Sequence, residues 1–313
     1  MSEFEFLLLD KDPKEHIAKI TLNRPEKLNA IHKPFWREII RAFEDAEEDE
    51  SIKVVILKGA GTSFSTGGDL AAVGRLSYDW KEPKHGEKPQ RPSMRHRMLQ
   101  DRFMSQKFFP TIMYCNKVTI AQVHGYCLGG GFEIMMACDM CVASEDAVLG
   151  HPGVRNIGPF YQHTPTLWIM RLGVTLAKEM QFTGRSLSAQ EAFQRQIINK
   201  VVPLERLEAE TMRLAQGIAL MPADGIVMGK TIVNAALDNL GLRQGANTGG
   251  LGHSLFTNIH YEPDEFNFWK SRRDVGDRQT IHLKDERFRP FIDNDALFGQ
   301  ADKDAHNADK GPA

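Results

Sequence analysis

The chain is expected to be an α/β protein on a mostly parallel sheet, followed by a helical C-terminal region. Three observations predict this. Short β-branched runs at 53–57, 118–123 and 140–143 alternate with helical segments in the first half. Two of these runs lead into glycine turns, one through Gly67-Gly68 and one through Gly129-Gly130-Gly131. From Leu167 onward, apolar residues recur mainly at helical spacing. Strands alternating with helices indicate βαβ units with right-handed crossovers.

The elements follow in order. Residues 4–9 and 16–22 read as strands joined by a polar turn around Asp12-Pro13. Pro34 opens a helix to about residue 48. Its Phe35, Ile39, Ala42, Phe43 and Ala46 fall on one face, with acids on the other. A strand at 53–57 ends in Gly59-Ala60-Gly61. Segment 75–97 holds Pro83, Pro89 and Pro92, with seven Lys or Arg against three acids. It is expected to be a solvated loop before a helix that includes 98–109. A basic flap over an anionic ligand is the alternative. Strand 118–123, the glycine triplet, a helix carrying Glu133 and strand 140–143 come next. Helices are expected over 175–181, 188–195, 204–220 and 223–239, interrupted by a strand-like 200–203. Segment 245–270 again has aromatic and apolar residues at helical spacing. The last stretch, 301–313, is polar and small and is expected to fray.

Composition narrows the function classes. The chain has 313 residues, a formal net charge of -2, 42% hydrophobic and 26% charged residues. These suit one large domain, or a domain with an appendage, and give no global pull toward nucleic acid or membrane. No apolar run approaches the ~18 residues needed to span a bilayer. The acidic start, Met1-Ser2-Glu3-Phe4-Glu5, reads as neither a signal nor a transit peptide, so a cytoplasmic location is the default expectation. Cys138-Asp-Met-Cys141 spells C-x-x-C, but no second pair accompanies it. Cys115, Cys127, Cys138 and Cys141 are expected to be buried, reduced and structural.

The chemistry concentrates at the glycine turns. Glycine lets backbone approach a ligand closely, and the first N–H groups of a helix lack internal partners and favour negative charge. In a parallel sheet both turns lie beyond the carboxyl ends of neighbouring strands, where ligands bind. Two such N–H groups aimed at one oxygen make an oxyanion hole. Glu133, in the helix after the triplet, is the carboxylate beside it.

Three segments resemble the signatures of the crotonase (enoyl-CoA hydratase/isomerase) superfamily, in its order and spacing. They are Asn23-Arg24-Pro25-Glu26-Lys27-Leu28-Asn29-Ala30, Phe64-Ser65-Thr66-Gly67-Gly68-Asp69-Leu70 and Gly125-Tyr126-Cys127-Leu128-Gly129-Gly130-Gly131-Phe132-Glu133. Phe182-Thr183-Gly184-Arg185 and Ala189-Gln190-Glu191-Ala192 are similar too. The resemblance covers about residues 4–270. It implies a crotonase-like spiral of ββα turns over 1–203, a helical C-terminal trimerisation region over 204–300 and a flexible tail over 301–313. It implies a homotrimer or a dimer of trimers. It also implies an acyl-CoA thioester substrate, with coenzyme A as part of the substrate and no metal or redox cofactor. Gly68 and Gly130 match the two oxyanion donors, Lys27 and Leu28 the segment meeting the nucleotide, and Thr66 a backbone contact to adenine.

Family hydratases carry two glutamates. Glu133 matches the first, whereas Gly153 stands at the second. Phe160-Tyr161-Gln162-His163 replaces the family's small, glycine-rich turn, and Tyr161 falls on a position that supplies a catalytic side chain in some other members. His151, Gly153, Phe160 and His163 are the substrate-pocket candidates. His124 reads as structural. The expected activity is of enoyl-CoA hydratase or lyase type, with Glu133 as acid/base. Hydrolysis or retro-aldol C–C cleavage using Tyr161 or a histidine is the second reading, and double-bond isomerisation the third. A non-catalytic acyl-CoA-binding or scaffold protein is the alternative of another class.

Overall fold

The computed structural model describes residues 4–70, 72, 93–158, 163–255 and 259–298. Among them run nine strands: β1 (Leu7–Asp12), β2 (Ile17–Leu22), β3 (Val54–Gly59), β4 (Val118–Val123), β5 (Tyr126–Leu128), β6 (Met140–Ser144), β7 (Val148–Gly150), β8 (Ser186–Ser188) and β9 (Lys200–Val202). The α-helices are α1 (Lys33–Glu48), α2 (Met94–Phe103), α3 (Phe109–Met113), α4 (Gly130–Ala137), α5 (Val154–Ile157), α6 (Pro165–Thr183), α7 (Ala189–Gln194), α8 (Leu207–Ala219), α9 (Ala223–Asn239), α10 (Leu242–Leu255), α11 (Phe268–Val275) and α12 (Asp277–Glu286).

The larger sheet has the order β1-β2-β3-β4-β6-β9, and β5-β7-β8 form a smaller one. From β2 to β9 every pairing in the larger sheet is parallel; only the β1–β2 hairpin is antiparallel. The period-2 alternation of β3 divides the core. Val55 and Leu57 join a cluster with Phe35, Ile39 and Phe43 of α1 and Phe132 of α4. Val54 and Ile56 join another with Ile120, Val142 and Leu207, Ala215 and Ile218 of α8. Both faces of β3 are therefore covered by helices, which explains its unbroken β-branched and aliphatic run.

Several boundaries differ from those read in the sequence. β1 starts at Leu7 and runs through Asp12, because its register with β2 pairs Leu7 with Leu22 and Asp12 with Ile17. The apolar spacing over 245–270 does not mark one helix. α10 ends at Leu255, residues 259–267 are not helical, and α11 begins at Phe268 with Asn267 as its cap, whose Oδ1 accepts from Lys270 N at 2.9 Å. Pro263 in that stretch has no N–H to give to a helix and biases the residue before it toward extended backbone. The strands of the smaller sheet are three residues each, too short for periodicity to reveal. α6 is kinked at Gly173, whose φ is 70°. Among the described residues, no helix is long and apolar enough to cross a membrane.

The C-terminal segment is clamped onto α5 by a buried ionic cluster. Arg155, with a fully buried side chain, sits 3.2 Å from Asp285 and 2.5 Å from the equally buried Asp295, and its Nε donates to Thr183 O at 2.8 Å. Phe288 and Phe298 lie against its guanidinium at 4.9 and 5.0 Å. Lys284, buried on α12, reaches the Pro152 carbonyl at 3.5 Å, so α12 lies close to the segment containing Gly153. Removing one partner of a buried pair strands the other charge. Arg155→Met is expected to cost about 3–5 kcal/mol in urea denaturation. A loss under about 1 kcal/mol would mean that water compensates the two aspartates, and with it the clamp would be no structural anchor.

Candidate active site

Three distant segments converge where β3 and β4 end. Asn29 is fully buried and ties the first segment to the second: its Nδ2 donates to Ala60 O and Ser63 O, both at 2.8 Å, and its Oδ1 accepts from Arg24 N at 2.9 Å. Arg24 in turn reaches Asp69 at 2.7 Å. The second and third segments are joined by a short parallel bridge, Ser65 N to Tyr126 O at 2.9 Å and Leu128 N to Ser65 O at 2.9 Å. Leu28 and Asn29 hold left-handed backbone, φ 49° and 53°, which costs non-glycine residues on the order of 1–3 kcal/mol unless their surroundings enforce it. The Leu28 carbonyl accepts from Thr66 N at 3.1 Å. Lys27, Leu28 and Thr66 are thus neighbours, with Lys27 and Leu28 exposed.

The two glycine turns pack directly together. Gly67 has φ 84°, and a β-carbon there would lie 2.6 Å from both Gly130 N and Leu128 O, so no larger residue fits. Ile31 N donates to Gly67 O at 2.7 Å and Asp69 N to Ile31 O at 2.9 Å. In that parallel bridge the N–H of Gly68 turns away from Ile31. Gly130 is the first residue of α4, so its N–H has no acceptor within the helix. A β-carbon built on Gly130 would stand 3.8 Å from Gly68 N, which measures how close the two turns come. Gly130 N–H at the helix start and Gly68 N–H in the neighbouring turn are thus both left without a partner from these local pairings.

Glu133 follows one turn later on α4 and is 2% exposed. An ionised carboxylate is tolerated there only if paired and hydrogen-bonded. Its Oε1 accepts from His163 N at 3.1 Å and Thr164 Oγ1 at 3.0 Å, and its Oε2 lies 3.8 Å from His163 Nδ1. The other ring nitrogen of His163, Nε2, is 3.5 Å from Oδ1 of Asp101 on α2. Asp101 accepts from His253 Nδ1 at 2.7 Å and from the hydroxyl of Ser254, both on α10. The result is a buried chain, Glu133–His163–Asp101–His253. Asp101, His163 and His253 present ligand atoms within 4.8 Å of one another, the donor set of a cation site, but Asp101 and His253 already satisfy each other by a hydrogen bond. Glycines let α10 come this close. A β-carbon on Gly249 would meet His163 O at 2.6 Å, and one on Gly250 would meet Asp101 O at 3.2 Å.

Electrostatics assign opposite charges along the chain. Burial alone drives the Glu133 carboxyl up, but His163, His151 and the Thr164 hydroxyl outweigh it and hold Glu133 below the ordinary carboxylate range. Burial drives His163 down, yet Asp101 and Glu133 on either side prevail and raise it to about 9. Asp101 is likewise penalised by burial and held well below its usual range by His163 and His253. His253 and His151 are lowered, chiefly by burial. Near neutral pH the chain reads carboxylate, imidazolium, carboxylate, imidazole.

Of the residues singled out in the sequence, the fold brings together Gly68 with Gly130, Glu133 with His163, and Lys27 and Leu28 with Thr66. His151, 4% exposed at the end of β7, packs its ring 5.9 Å from Trp168 and acts on Glu133 by charge. Gly153 precedes α5 in ordinary helical backbone, φ −59° and ψ −22°. Phe160 and Tyr161 lie outside the described residues, as does most of the basic segment 75–97. His124 bonds Gly61 O at 2.9 Å, a structural contact. All four cysteines are buried and unbridged. Sequence reading missed Asp101, Thr164, His253 and Ser254. Nothing in the spacing of an aspartate on α2 and a histidine on α10, 152 positions apart, announces their contact.

The profile of the enoyl-CoA hydratase/isomerase family matches residues 12–262. EchA13 of Mycobacterium tuberculosis, assigned as an enoyl-CoA hydratase, is 34% identical over 259 residues, 76% of each chain. An enoyl-CoA hydratase/isomerase from Xanthobacter autotrophicus Py2 superposes with a TM-score of 0.74 at 31% identity, covering 91% of this chain and 98% of its own. An enoyl-CoA hydratase from Mycobacterium smegmatis gives a TM-score of 0.76 at 27% identity, covering 90% and 94%. The chain belongs to the enoyl-CoA hydratase/isomerase family of acyl-CoA enzymes and has the crotonase fold.

The charge assignment can be read directly by NMR titration of the histidine rings. His163 is expected to titrate near pH 9, and His151 and His253 below the ordinary 6.5. Because the folded value of His163 is raised, its contribution to stability is complete below about pH 6.5 and is lost as pH rises through about 9. A His163 resonance titrating at or below 6.5 would refute the assignment.

Proposed function

We propose that the protein is a hydratase or lyase on an unsaturated or β-oxygenated acyl-CoA, with Glu133 and His163 as its base and acid. The observation that carries this reading is the position of His163: an imidazole stands beside the buried Glu133 in a chain whose second family glutamate is Gly153. In the hydration direction, Glu133 takes a proton from water as the water oxygen bonds to the β-carbon. The π electrons move to the thioester oxygen, where the N–H groups of Gly68 and Gly130 stabilise the enolate. As the enolate collapses, its α-carbon takes a proton from the His163 imidazolium. Proton transfer from Glu133 back to His163, 3.8 Å away, restores the resting state. Elimination is the reverse. Glu133, held below the ordinary carboxylate range, is ionised at pH 7, and His163, titrating near 9, is protonated, so both are in their working forms.

Lys27, Leu28 and Thr66 form the coenzyme A contact in this reading, and His151 and Gly153 border the acyl group. Coenzyme A belongs to the substrate, and the scheme needs no further cofactor. Self-association is part of the proposal: Met228, Ile232 and Val233 of α9 are 57–67% exposed, an apolar face suited to a second copy. A scaffold role fits the site less well, since a protein that only binds acyl-CoA has no use for a buried carboxylate–imidazolium pair.

Two substitutions test the scheme on a panel of acyl-CoA substrates read by mass spectrometry. Glu133→Gln is expected to lower kcat by ~10²–10⁴. Unchanged kcat on a substrate that the protein turns over would sink the acid–base role. Gly130→Pro removes one donor, and a β-carbon there meets nothing nearer than 3.7 Å. Its turnover is expected to drop by about 10²–10³. A folded variant with near-normal rates would exclude the two-glycine oxyanion site.

A further inference from the structure

The acid–base reading leaves a buried carboxylate unexplained. Asp101 is 3% exposed, and its carboxylate bonds to α10 rather than to the glycine turns or Glu133. Burying it costs free energy that a purely apolar residue would avoid. Its partners among the described residues are two imidazoles and a hydroxyl: His163, His253 and Ser254.

The arrangement is directional. His253 and Ser254 approach Asp101 from α10 and occupy both carboxylate oxygens, which fixes the carboxylate plane. The oxygen shared with His253, Oδ1, is the one that faces His163 Nε2 at 3.5 Å. The rings of His163 and His253 lie 4.3 Å apart at 35°, and Phe109 closes a further side at 6.0 Å. The His163 ring lies between His253 and Phe109; among the described residues its Nε2 makes no hydrogen bond and meets Asp101 as a charge contact, leaving Nδ1 toward Glu133. A π-helical turn, Met104–Phe108, follows directly after the helix carrying Asp101, a distortion frequent at functional sites.

We propose that Asp101, braced by His253 and Ser254, is a positioning residue: it fixes the ring of His163 and keeps it a charged proton donor facing Glu133. The inference rests on the reading of Glu133 and His163 as the reacting pair. The groups facing His163 are Glu133 from α4, Asp101 from α2, His253 from α10 and the nearby His151; Arg97 acts on His253 from α2. Two of these are carboxylates, and they flank the ring. Taking one away by an isosteric change removes about half of the negative charge that sustains the imidazolium.

The test uses the full chain carrying Asp101→Asn, with metal content measured on the same samples. In the substrate-free protein, the His163 resonance is expected to fall from about pH 9 by a unit or more toward the ordinary 6.5. On a substrate that the protein turns over, the alkaline limb of kcat/KM is expected to move down with it. The kcat is expected to drop on the order of 10–100-fold, a share of what a placed acid contributes, with KM little changed. Should Asp101→Asn not fold, Asp101→Glu keeps the charge. It is then expected to retain the alkaline limb near pH 9 with a lower kcat, and a limb at the ordinary imidazole value would overturn the proposal. An unmoved His163 titration in folded Asp101→Asn overturns it, as does a moved titration with unchanged kcat and limb. A stoichiometric divalent metal in the native protein that is lost from Asp101→Asn also overturns it, because the cluster would then be a cation site. The failure of the wider reading looks different: full turnover by Glu133→Gln removes the reacting pair, whatever the His163 titration does.

Discussion

The contact between the two glycine turns sets the geometry of everything around it. Gly67 sits 2.6 Å, measured from where a β-carbon would be, from Gly130 N and Leu128 O. That approach is possible only without a side chain, and only if the strands before both turns are neighbours in parallel register. The β3–β4 pairing, with Val54 opposite Val118 and Lys58 opposite Gln122, supplies this. Asn29, Ser65 and the short bridge to β5 then lock three segments from different parts of the chain into one rim. The strained backbone of Leu28 is held by the same network. A mutation that spread the turns would therefore disturb the Gly68–Gly130 pair and the Lys27–Thr66 edge together.

The second organising constraint is the burial of Glu133. A carboxylate that is 2% exposed demands partners, and the fold meets the demand from far away in sequence. Thr164 and the backbone of His163 satisfy one oxygen, and the His163 ring faces the other. His163 in turn is stabilised as a cation by Asp101, and Asp101 by α10. Each burial is made tolerable by the next, so the chain of charges is cooperative, and its members are expected to be non-additive when deleted. The ionisable group beside Glu133 comes from the segment leading into α6.

Much of the fold was legible in the chain. The parallel order followed from β-branched runs alternating with helices, because strands such as β3, buried on both faces, must be apolar throughout. The helix over 34–48 was visible from the spacing of Phe35, Ile39 and Phe43, and α1 matches it to within a residue. What escaped was short or interrupted: the three-residue strands β5, β7 and β8, and the break before α11 at a stretch containing Pro263. Local propensity carries little information over three residues, since such strands exist only through their partners.

For the site the division is sharper. The sequence by itself determined the glycine turns, Glu133, the absence of a glutamate at Gly153 and the presence of histidines nearby, because these are local patterns with local physical causes. Which histidine stands beside Glu133 was decided only in three dimensions. So was the contact between Asp101 and His253, which lie 152 positions apart and meet because Gly249 and Gly250 let α10 press against α2 and the backbone of His163. A hydrogen bond between groups so distant leaves no trace in spacing or periodicity. It is set by how helices pack, and packing is a property of the whole chain.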